Sequence, residues 1–297
     1  MKILTIIVSY NFEKWIDKCL GSLFSSEYPT EILVVDNCSK DNTVRIIKDK
    51  WKNVRLIESN SNLGFGKANN IGFEIAIKEK FDAVFLLNQD AWIDSKTIGT
   101  MVETCQKYPE YGILSPVHRS GNGKSFDKGF KSYANLSENS KLPSSDTPIE
   151  CQFINAAFWF IPVKVLMTVG GFSPLFYHYG EDKDYINRIH FHNYLIGYIP
   201  SIEGCHDREY RKVSTESFFH SEYVYFLSEF SNINYNLIKA SAYSVLAAIK
   251  KAFISLLHGK FNYSIKYASI SLRLSAATNK VINTRKITKQ KSNSFLD

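Results

Sequence analysis

Three carboxylate stations in this chain stand where chemistry could be done. The first is Asn88-Gln89-Asp90, where the apolar run Ala83-Val84-Phe85-Leu86-Leu87 ends with no turn residue before the polar triplet. An uninterrupted apolar run bounded by polar residues reads as a strand buried on both faces, as in parallel sheets covered by helices. Ligands of such sheets lie beyond the carboxyl ends of the strands, so Asp90 is placed to meet a metal ion or a sugar hydroxyl, or else to cap a helix starting near Asp94-Ser95. The second is Asp36, ending Ile32-Leu33-Val34-Val35-Asp36, where a carboxylate can accept hydrogen bonds from a base imide or a ribose hydroxyl. Asp41, ahead of renewed apolar periodicity, reads as a cap for the next helix. The third is Glu181-Asp182-Lys183-Asp184 with Arg188. Glu181 and Asp182 are adjacent and cannot share a helix face, whereas Asp184 and Arg188 are one turn apart and can pair. One adjacent acid can then face a pocket as a base while Asp184 and Arg188 hold the frame; alternatively, all three acids simply favour a helix N-terminus through its dipole.

Two weaker signals accompany these. Asn62-Leu63-Gly64-Phe65-Gly66 puts two glycines near a helix start, where free backbone N–H groups could approach a phosphate, but it lacks the third glycine of a dinucleotide fingerprint. His206 follows a strand-like stretch on the side of the sheet where Asp90 should lie, and its imidazole could complete a divalent-metal site, contact a diphosphate or be structural.

The elements that must position these residues alternate through the first half. Strand-like runs at Ile3 to Val8, Glu31 to Val35, Val54 to Glu58 and Ala83 to Leu87 are each followed by a helical pattern, at Lys14 to Phe24, Asp41 to Lys50, Gly66 to Lys78 and Ser95 to Lys107. That order implies right-handed crossovers and an α/β unit with a mainly parallel central sheet flanked by helices. Arg119 to Pro148 is rich in Ser, Gly, Asn, Lys and Pro and reads as a long mobile loop or irregular hairpin, either a lid or a plain insertion. Then follow an apolar stretch Gln152 to Ile161, helices at Val163 to Val169 and from Glu181 to His192, and a strand at Leu195 to Ile199. From Ser217 onward the pattern is helical, with a stripe of Val245, Leu246, Ile249, Phe253, Leu256 and Leu257 that faces a core, a second copy or a membrane surface.

With 44% apolar and 22% charged residues over 297 positions, the chain is an ordinary globular protein, neither disordered nor fibrous. Its 5 cysteines are odd in number and scattered, with no Cys-x-x-Cys pair, which argues against a disulfide framework or a thiolate zinc site and for a reducing cytosol. Met1 to Val8 reads as a first strand and not as a targeting segment, and no run reaches the roughly 20 uninterrupted apolar residues of a membrane span. The net charge of +7 is uneven: from Arg211 onward there are 13 Lys and Arg against 4 Asp and Glu, leaving residues 1–210 at −2. The basic end is either a solvated helical surface or is drawn to a polyanion, of which anionic lipid and nucleic acid are the obvious choices.

Taken in order, Val8-Ser9-Tyr10-Asn11, Val35-Asp36-Asn37-Cys38-Ser39-Lys40-Asp41, Asn62-Leu63-Gly64-Phe65-Gly66, Leu87-Asn88-Gln89-Asp90 and Gly180-Glu181-Asp182-Lys183-Asp184 with Arg188 resemble the family-2 glycosyltransferases of GT-A fold. Within that family the chain is similar to the rhamnosyltransferase-like bacterial branch that builds surface polysaccharides. The resemblance covers about residues 1–215, expected as the catalytic domain, with 216–297 a basic helical C-terminal extension. It implies that Asp36 holds the nucleobase, with Ser9, Tyr10 and Asn11 on the other side of that pocket and Asn62, Gly64, Asn88 and Glu181 also binding substrate. Asp90 would end an Asp-x-Asp-type motif that binds Mg²⁺ or Mn²⁺ on the sugar-nucleotide diphosphate, with His206 beside it. Asn88 replaces the first Asp of that motif and brings a carbonyl oxygen but no charge. Asp182 would be the base of an inverting displacement. The implied partners are a nucleotide-diphosphate sugar and a saccharide acceptor, lipid-linked in similar enzymes, which would place the protein in the cytoplasm, with its basic end at the inner membrane surface.

Other classes fit less well. Nucleotidyl transferases carry a glycine-rich and basic segment where this chain has Ser9-Tyr10-Asn11-Phe12-Glu13. A non-catalytic sugar-nucleotide or glycan-binding protein would have no use for Asp182. No recognised nucleic-acid motif accompanies the basic end, so no nucleic-acid partner is expected.

Overall fold

The computed structural model describes residues 1–137, 139–208 and 214–296. Glu138, within the expected loop, and Arg211 and Lys212, the first cations of the basic end, lie outside them. The alternating first half forms β1 (Ile3–Ser9), α1 (Ile16–Phe24), β2 (Glu31–Asp36), α2 (Thr43–Lys50), β3 (Arg55–Glu58), α3 (Phe65–Lys78) and β4 (Ala83–Leu87). β1 pairs in parallel with β2 and β4, and β2 with β3. Side chains alternate across these strands: Leu4, Ile6, Leu33, Val35, Val84 and Leu86 enter the core on one face, and Ile3, Ile7, Ile32, Val34, Ala83 and Phe85 that on the other. Burial on both faces is why the strands read as continuous apolar runs.

The chain continues through β5 (Ala91–Ile93), α4 (Thr97–Lys107), β6 (Tyr111–Ser120), α5 (Lys128–Tyr133), β7 (Ile149–Glu150), β8 (Phe158–Pro162), α6 (Val163–Val169), α7 (Glu181–Phe191) and β9 (Leu195–His206). β8 enters antiparallel between β4 and β6, β9 runs parallel to β6, and β5 and β7 pair antiparallel with β9. The sheet order is therefore β3-β2-β1-β4-β8-β6-β9-β5, a parallel half joined to a mixed half. β9 runs past the expected end at Ile199 to His206. Pro200 cannot donate to a ladder, and it falls where the β6–β9 register shifts, between the Pro116–Ile199 and Val117–Glu203 pairs.

Two local readings change. Asp90 precedes β5 and starts no helix, since α4 begins only at Thr97; the capping alternative for Asp90 is thereby removed. The segment from Arg119 to Pro148 is not wholly irregular. Phe126, Phe130 and Tyr133 recur at helical spacing, Phe130 is fully buried, and Asp127 caps α5 by accepting from the Phe130 N–H at 3.0 Å. The intervening Gly, Ser and Lys residues hide that spacing.

The C-terminal part comprises α8 (Thr215–Ser231), α9 (Leu237–Ser241), a π-helical turn at Ala242–Leu246, α10 (Ala247–Leu257), α11 (Phe261–Ala276) and α12 (Thr278–Thr288), packed around Phe219, Phe226, Phe230, Tyr267 and Leu274. The chain end then returns to the first unit: Gly171 N–H donates to Ser294 O at 2.8 Å, and Leu296 joins the core beneath α3. α9, the π turn and α10 run on as one helix, Leu237–Leu257, of 21 residues, which by length and composition is apolar enough to cross a membrane. Its buried contacts come from small residues, Ala248 and Ala252, whereas Leu246, Ile249, Phe253, Leu256 and Leu257 are exposed. The stripe expected from the sequence is present; Val245 packs against the C-terminal core, and the other members face outward.

Candidate active site

The parallel register delivers Ser9 and Asp36 side by side at one edge of the sheet. Asp36 is only 2% exposed, and its carboxylate is held by three donors: Ser9 Oγ at 2.9 Å, Ser39 N at 2.9 Å and the Ser39 hydroxyl. Asn11, in the left-handed region, donates its N–H to Ser39 Oγ and accepts from Lys40 N, both at 2.9 Å. Tyr10 is exposed, and its backbone is clamped from both sides by Gln89: its N–H donates to Gln89 Oε1 at 2.8 Å, and Gln89 Nε2 donates to its carbonyl at 3.2 Å. Gln89, passed over in the sequence as the middle of a triplet, thus ties the Asp36 region to Asp90. Asn62 and Gly64 do a different job. Asn62 Oδ1 accepts from Gly64 N at 2.9 Å, its carbonyl accepts from the Tyr177 hydroxyl at 2.9 Å, and Gly64 has φ +79° with no room for a Cβ beside the Tyr177 carbonyl.

A cleft of about 1040 Å³ opens beside this edge, and Asn88, Asp90, Glu181, Asp182 and His206 all line it. Ser9, Tyr10, Asn11, Asp36, Asn62 and Gly64 do not line it. The β5–β9 pairing sets Ala91 opposite His206, which brings Asp90 to the imidazole: Nε2 is 3.2 Å from Asp90 Oδ1 and 3.4 Å from the Asn88 amide. The opposite ring nitrogen, Nδ1, accepts from Arg208 Nε at 3.2 Å, and Arg208 also pairs with Asp127 Oδ2 at 3.3 Å. An imidazole that accepts at Nδ1 carries its proton on Nε2; ligating a metal through Nε2 requires the other tautomer and release of the Arg208 bond.

The other wall is the first turn of α7. Gly180, left-handed at φ +84°, opens the helix so that Glu181 and Asp182 face the cleft. Burial first, then the charge of Asp182, pushes the Glu181 carboxyl up to about 7, and its Oε2 has no hydrogen-bond partner among the described residues. Burial likewise raises Asp182 above the ordinary carboxylate range, against the Lys183 N–H bond at 2.7 Å to Oδ1 and the positive charges of Arg208 and Lys183. Asp184 and Arg188 pair as their spacing suggests, turned away into the core at 3.0 Å. Tyr133 OH and Asn155 Oδ1 also line the cleft, buried and without hydrogen-bond partners among the described residues. Sequence reading missed both residues, and Arg208 with them; only the helical spacing of Phe126, Phe130 and Tyr133 hinted that this segment reaches the site.

Among the described residues, no cluster of three or more His, Cys, Asp or Glu could hold a metal ion. Asp90, His206 and the Asn88 carbonyl nevertheless make a carboxylate, imidazole and amide-oxygen set. That set suits an ion whose remaining ligands come from phosphates, not a closed protein cage.

The fold has counterparts among known proteins. The chain is 23% identical over 232 residues to an N-acetylglucosaminyl-diphospho-decaprenol L-rhamnosyltransferase of Mycobacterium tuberculosis, covering 68% of this chain and 75% of that protein. It is 35% identical over 106 residues to the poly(ribitol-phosphate) beta-N-acetylglucosaminyltransferase TarS of Staphylococcus aureus, which is 33% of this chain and 18% of that protein. Superposition on the crystal structure of S. aureus TarS 1-349 with UDP gives a TM-score of 0.58 at 16% identity, covering 97% of this chain and 88% of that one. A mannosyltransferase of Pyrobaculum calidifontis with GDP-Man and Mn²⁺ gives 0.55 at 16% identity, covering 97% and 86%. These neighbours share the GT-A fold expected from the sequence. The sequence pattern described as Glycosyl transferase family 2 matches residues 5–170, from β1 to the end of α6, which is more than half of the chain; the chain belongs to that family.

Proposed function

We propose that this protein is an inverting glycosyltransferase that moves a hexose or deoxyhexose, such as rhamnose, from a nucleotide-diphosphate sugar to a hydroxyl of a growing, lipid-linked surface polysaccharide. The observation that carries the reading is Asp182: a carboxylate held above its ordinary range, at a helix start, facing the same cleft as Asp90 and His206. A raised pKa makes the ionised carboxylate a stronger base toward the acceptor hydroxyl. Asp36, with Ser9, Tyr10 and Asn11, takes the nucleobase and ribose at the sheet edge. Asn62 and Gly64 shape the adjoining loop, and Asn88 and Glu181 meet the donor in the cleft. Asp182 removes the proton of the acceptor hydroxyl. The acceptor oxygen bonds to the anomeric carbon from the face opposite the diphosphate, and the carbon–oxygen bond to the diphosphate breaks with its electron pair leaving on phosphate. A bound Mg²⁺ or Mn²⁺, held by Asp90, His206 and the Asn88 carbonyl, would offset the charge of that leaving group.

Binding and hydrolysis measured against dTDP-rhamnose, UDP-galactose, UDP-glucose, UDP-N-acetylglucosamine and GDP-mannose, with and without Mn²⁺, test this. One donor is expected to bind, and more tightly with the ion. A folded protein that binds none would refute the reading and favour a glycan-binding role.

Residues 1–215 would form the catalytic domain, and 216–297 would bring it to its acceptor at the inner face of the cell membrane. The exposed Ile249, Phe253, Leu256 and Leu257 on α10, with Lys250 and Lys260 alongside, make an apolar face bordered by cations, the combination that lies in an anionic lipid surface. The protein is expected to sediment with phosphatidylglycerol vesicles, and Phe253→Glu with Leu257→Glu to release it. Unchanged sedimentation of that double variant would rule out this face as the anchor.

A further inference from the structure

We propose that Arg208 is a diphosphate-binding residue of the donor site, a resident positive charge where the leaving group must sit. The proposal rests on the donor reading above and extends it to a side chain that no motif marked. Among the described residues lining the cleft, Arg208 alone carries a Lys or Arg side chain, and Asp90, Glu181 and Asp182 line the same cleft.

Its contacts are one-sided. Nε meets His206 Nδ1 at 3.2 Å and Asp127 Oδ2 at 3.3 Å, and neither Nη group has a hydrogen-bond partner among the described residues. The side chain is 35% exposed, whereas Asp127 is 2% exposed, with its other oxygen fixed by the Phe130 N–H at 3.0 Å. The guanidinium is thus anchored at Nε beside a rigid carboxylate, while its two Nη groups, Nη1 next to Gly129 of α5, keep their donors for a ligand. A merely structural ion pair accounts for the contact at Nε. It gives no reason for an open fork in a cleft that must receive a dianionic group. Two parallel N–H donors match two phosphate oxygens in a way a lysine cannot. Because Asn88 contributes no charge, Asp90 is the one carboxylate beside His206, and an incoming diphosphate meets less repulsion there. As the anomeric carbon–oxygen bond breaks, negative charge grows on the phosphate oxygen, and the bonds from a preorganised guanidinium strengthen with it.

The experiment is equilibrium binding of UDP, dTDP and GDP, each beside its nucleoside, to the full chain and to Arg208→Gln and Arg208→Lys, in EDTA and in Mn²⁺. In EDTA the natural protein is expected to bind its preferred diphosphate at least about tenfold more tightly than the nucleoside. Arg208→Gln should lose that preference while keeping nucleoside affinity, which reports an intact base pocket, and Mn²⁺ should restore part of it. Arg208→Lys should fall between, with charge but no fork. An Arg208→Gln protein that keeps the full diphosphate preference would overturn the proposal and leave the donor reading standing. Failure of the natural protein to bind any nucleotide in either condition would overturn both. A lysine variant equal to the natural protein would overturn the bidentate contact.

Discussion

Asp182→Asn is expected to lower the rate of transfer by about 10²- to 10⁴-fold with donor affinity unchanged, the loss that follows when a positioned base is removed and nothing else is disturbed. The substitution is close to isosteric. The amide that replaces the carboxylate keeps an oxygen to accept the Lys183 N–H, now at 2.7 Å, so the first turn of α7 keeps its geometry. Stability should not fall either. The carboxyl of Asp182 is raised in the folded protein, so its ionisation opposes folding at every pH above its unfolded value, and a neutral amide removes that opposition. Glu181 is raised second by the charge of Asp182, so its carboxyl should ionise more readily in the variant. Steady-state kinetics with the donor identified above, beside donor binding and a thermal melt at pH 8, separate the possibilities. Turnover within a few-fold of the natural protein would end the assignment of Asp182 and move the base to Glu181, the adjacent acid in the same cleft.

What the residues disclosed in advance follows from how local the physics is at each point. β1, β2 and β4 were legible because two-sided burial writes itself as an unbroken apolar run, and the ends of β2 and β4 located Asp36 and the Asn88–Asp90 turn without further help. The antiparallel entry of β8 between β4 and β6 was not legible, because strand pairing is a long-range choice that no local pattern encodes. Within α7 helix geometry alone foretold that Asp184 reaches Arg188, but it allowed only one of the adjacent acids to face the pocket; both Glu181 and Asp182 line the cleft, because they stand at the very start of the helix after the left-handed Gly180. Arg208, Tyr133 and Asn155 escaped notice because each is an isolated polar residue in an unpatterned stretch. Their significance lies in what faces them across the cleft, above all Asp127, which is 81 positions before Arg208. The stripe on α10 is amphipathic by its spacing, but periodicity cannot tell which face turns inward. Small Ala248 and Ala252 take the packed side, in one cluster with Tyr267, Ile270 and Leu274 of α11, and the bulky residues stay outside.

Arg188→Met should cost about 3–5 kcal/mol of stability, the range seen when one member of a buried ion pair is removed, and at a few degrees per kcal/mol in a chain of this size it should lower the melting midpoint by on the order of 10 °C. Arg188 is 1% exposed, and each nitrogen of its guanidinium is engaged: Nε donates to Asp184 Oδ2 at 3.0 Å, and Nη1 and Nη2 donate to the carbonyls of Val169 and Gly171, each at 2.8 Å. Methionine fills much of the same volume, but it leaves both carbonyls without a partner and Asp184 with only the Ser231 hydroxyl, at 3.0 Å. Lysine should rescue little, since one ammonium cannot span a carboxylate and two carbonyls on separate sides. The consequence reaches function through α7. The same helix begins with Glu181 and Asp182, and Arg188 ties it to the end of α6, while Asp184 ties it to α8. Below the melting range the variant should therefore bind donor nearly as well as the natural protein, since Asp36 lies on β2, but it should turn over more slowly as Asp182 loses its fixed position. Restoring charge balance with Asp184→Leu in the same chain should recover part of the stability without recovering the rate. A melting midpoint within about 2 °C of the natural protein for Arg188→Met would show that this buried pair is not what holds α7 in place.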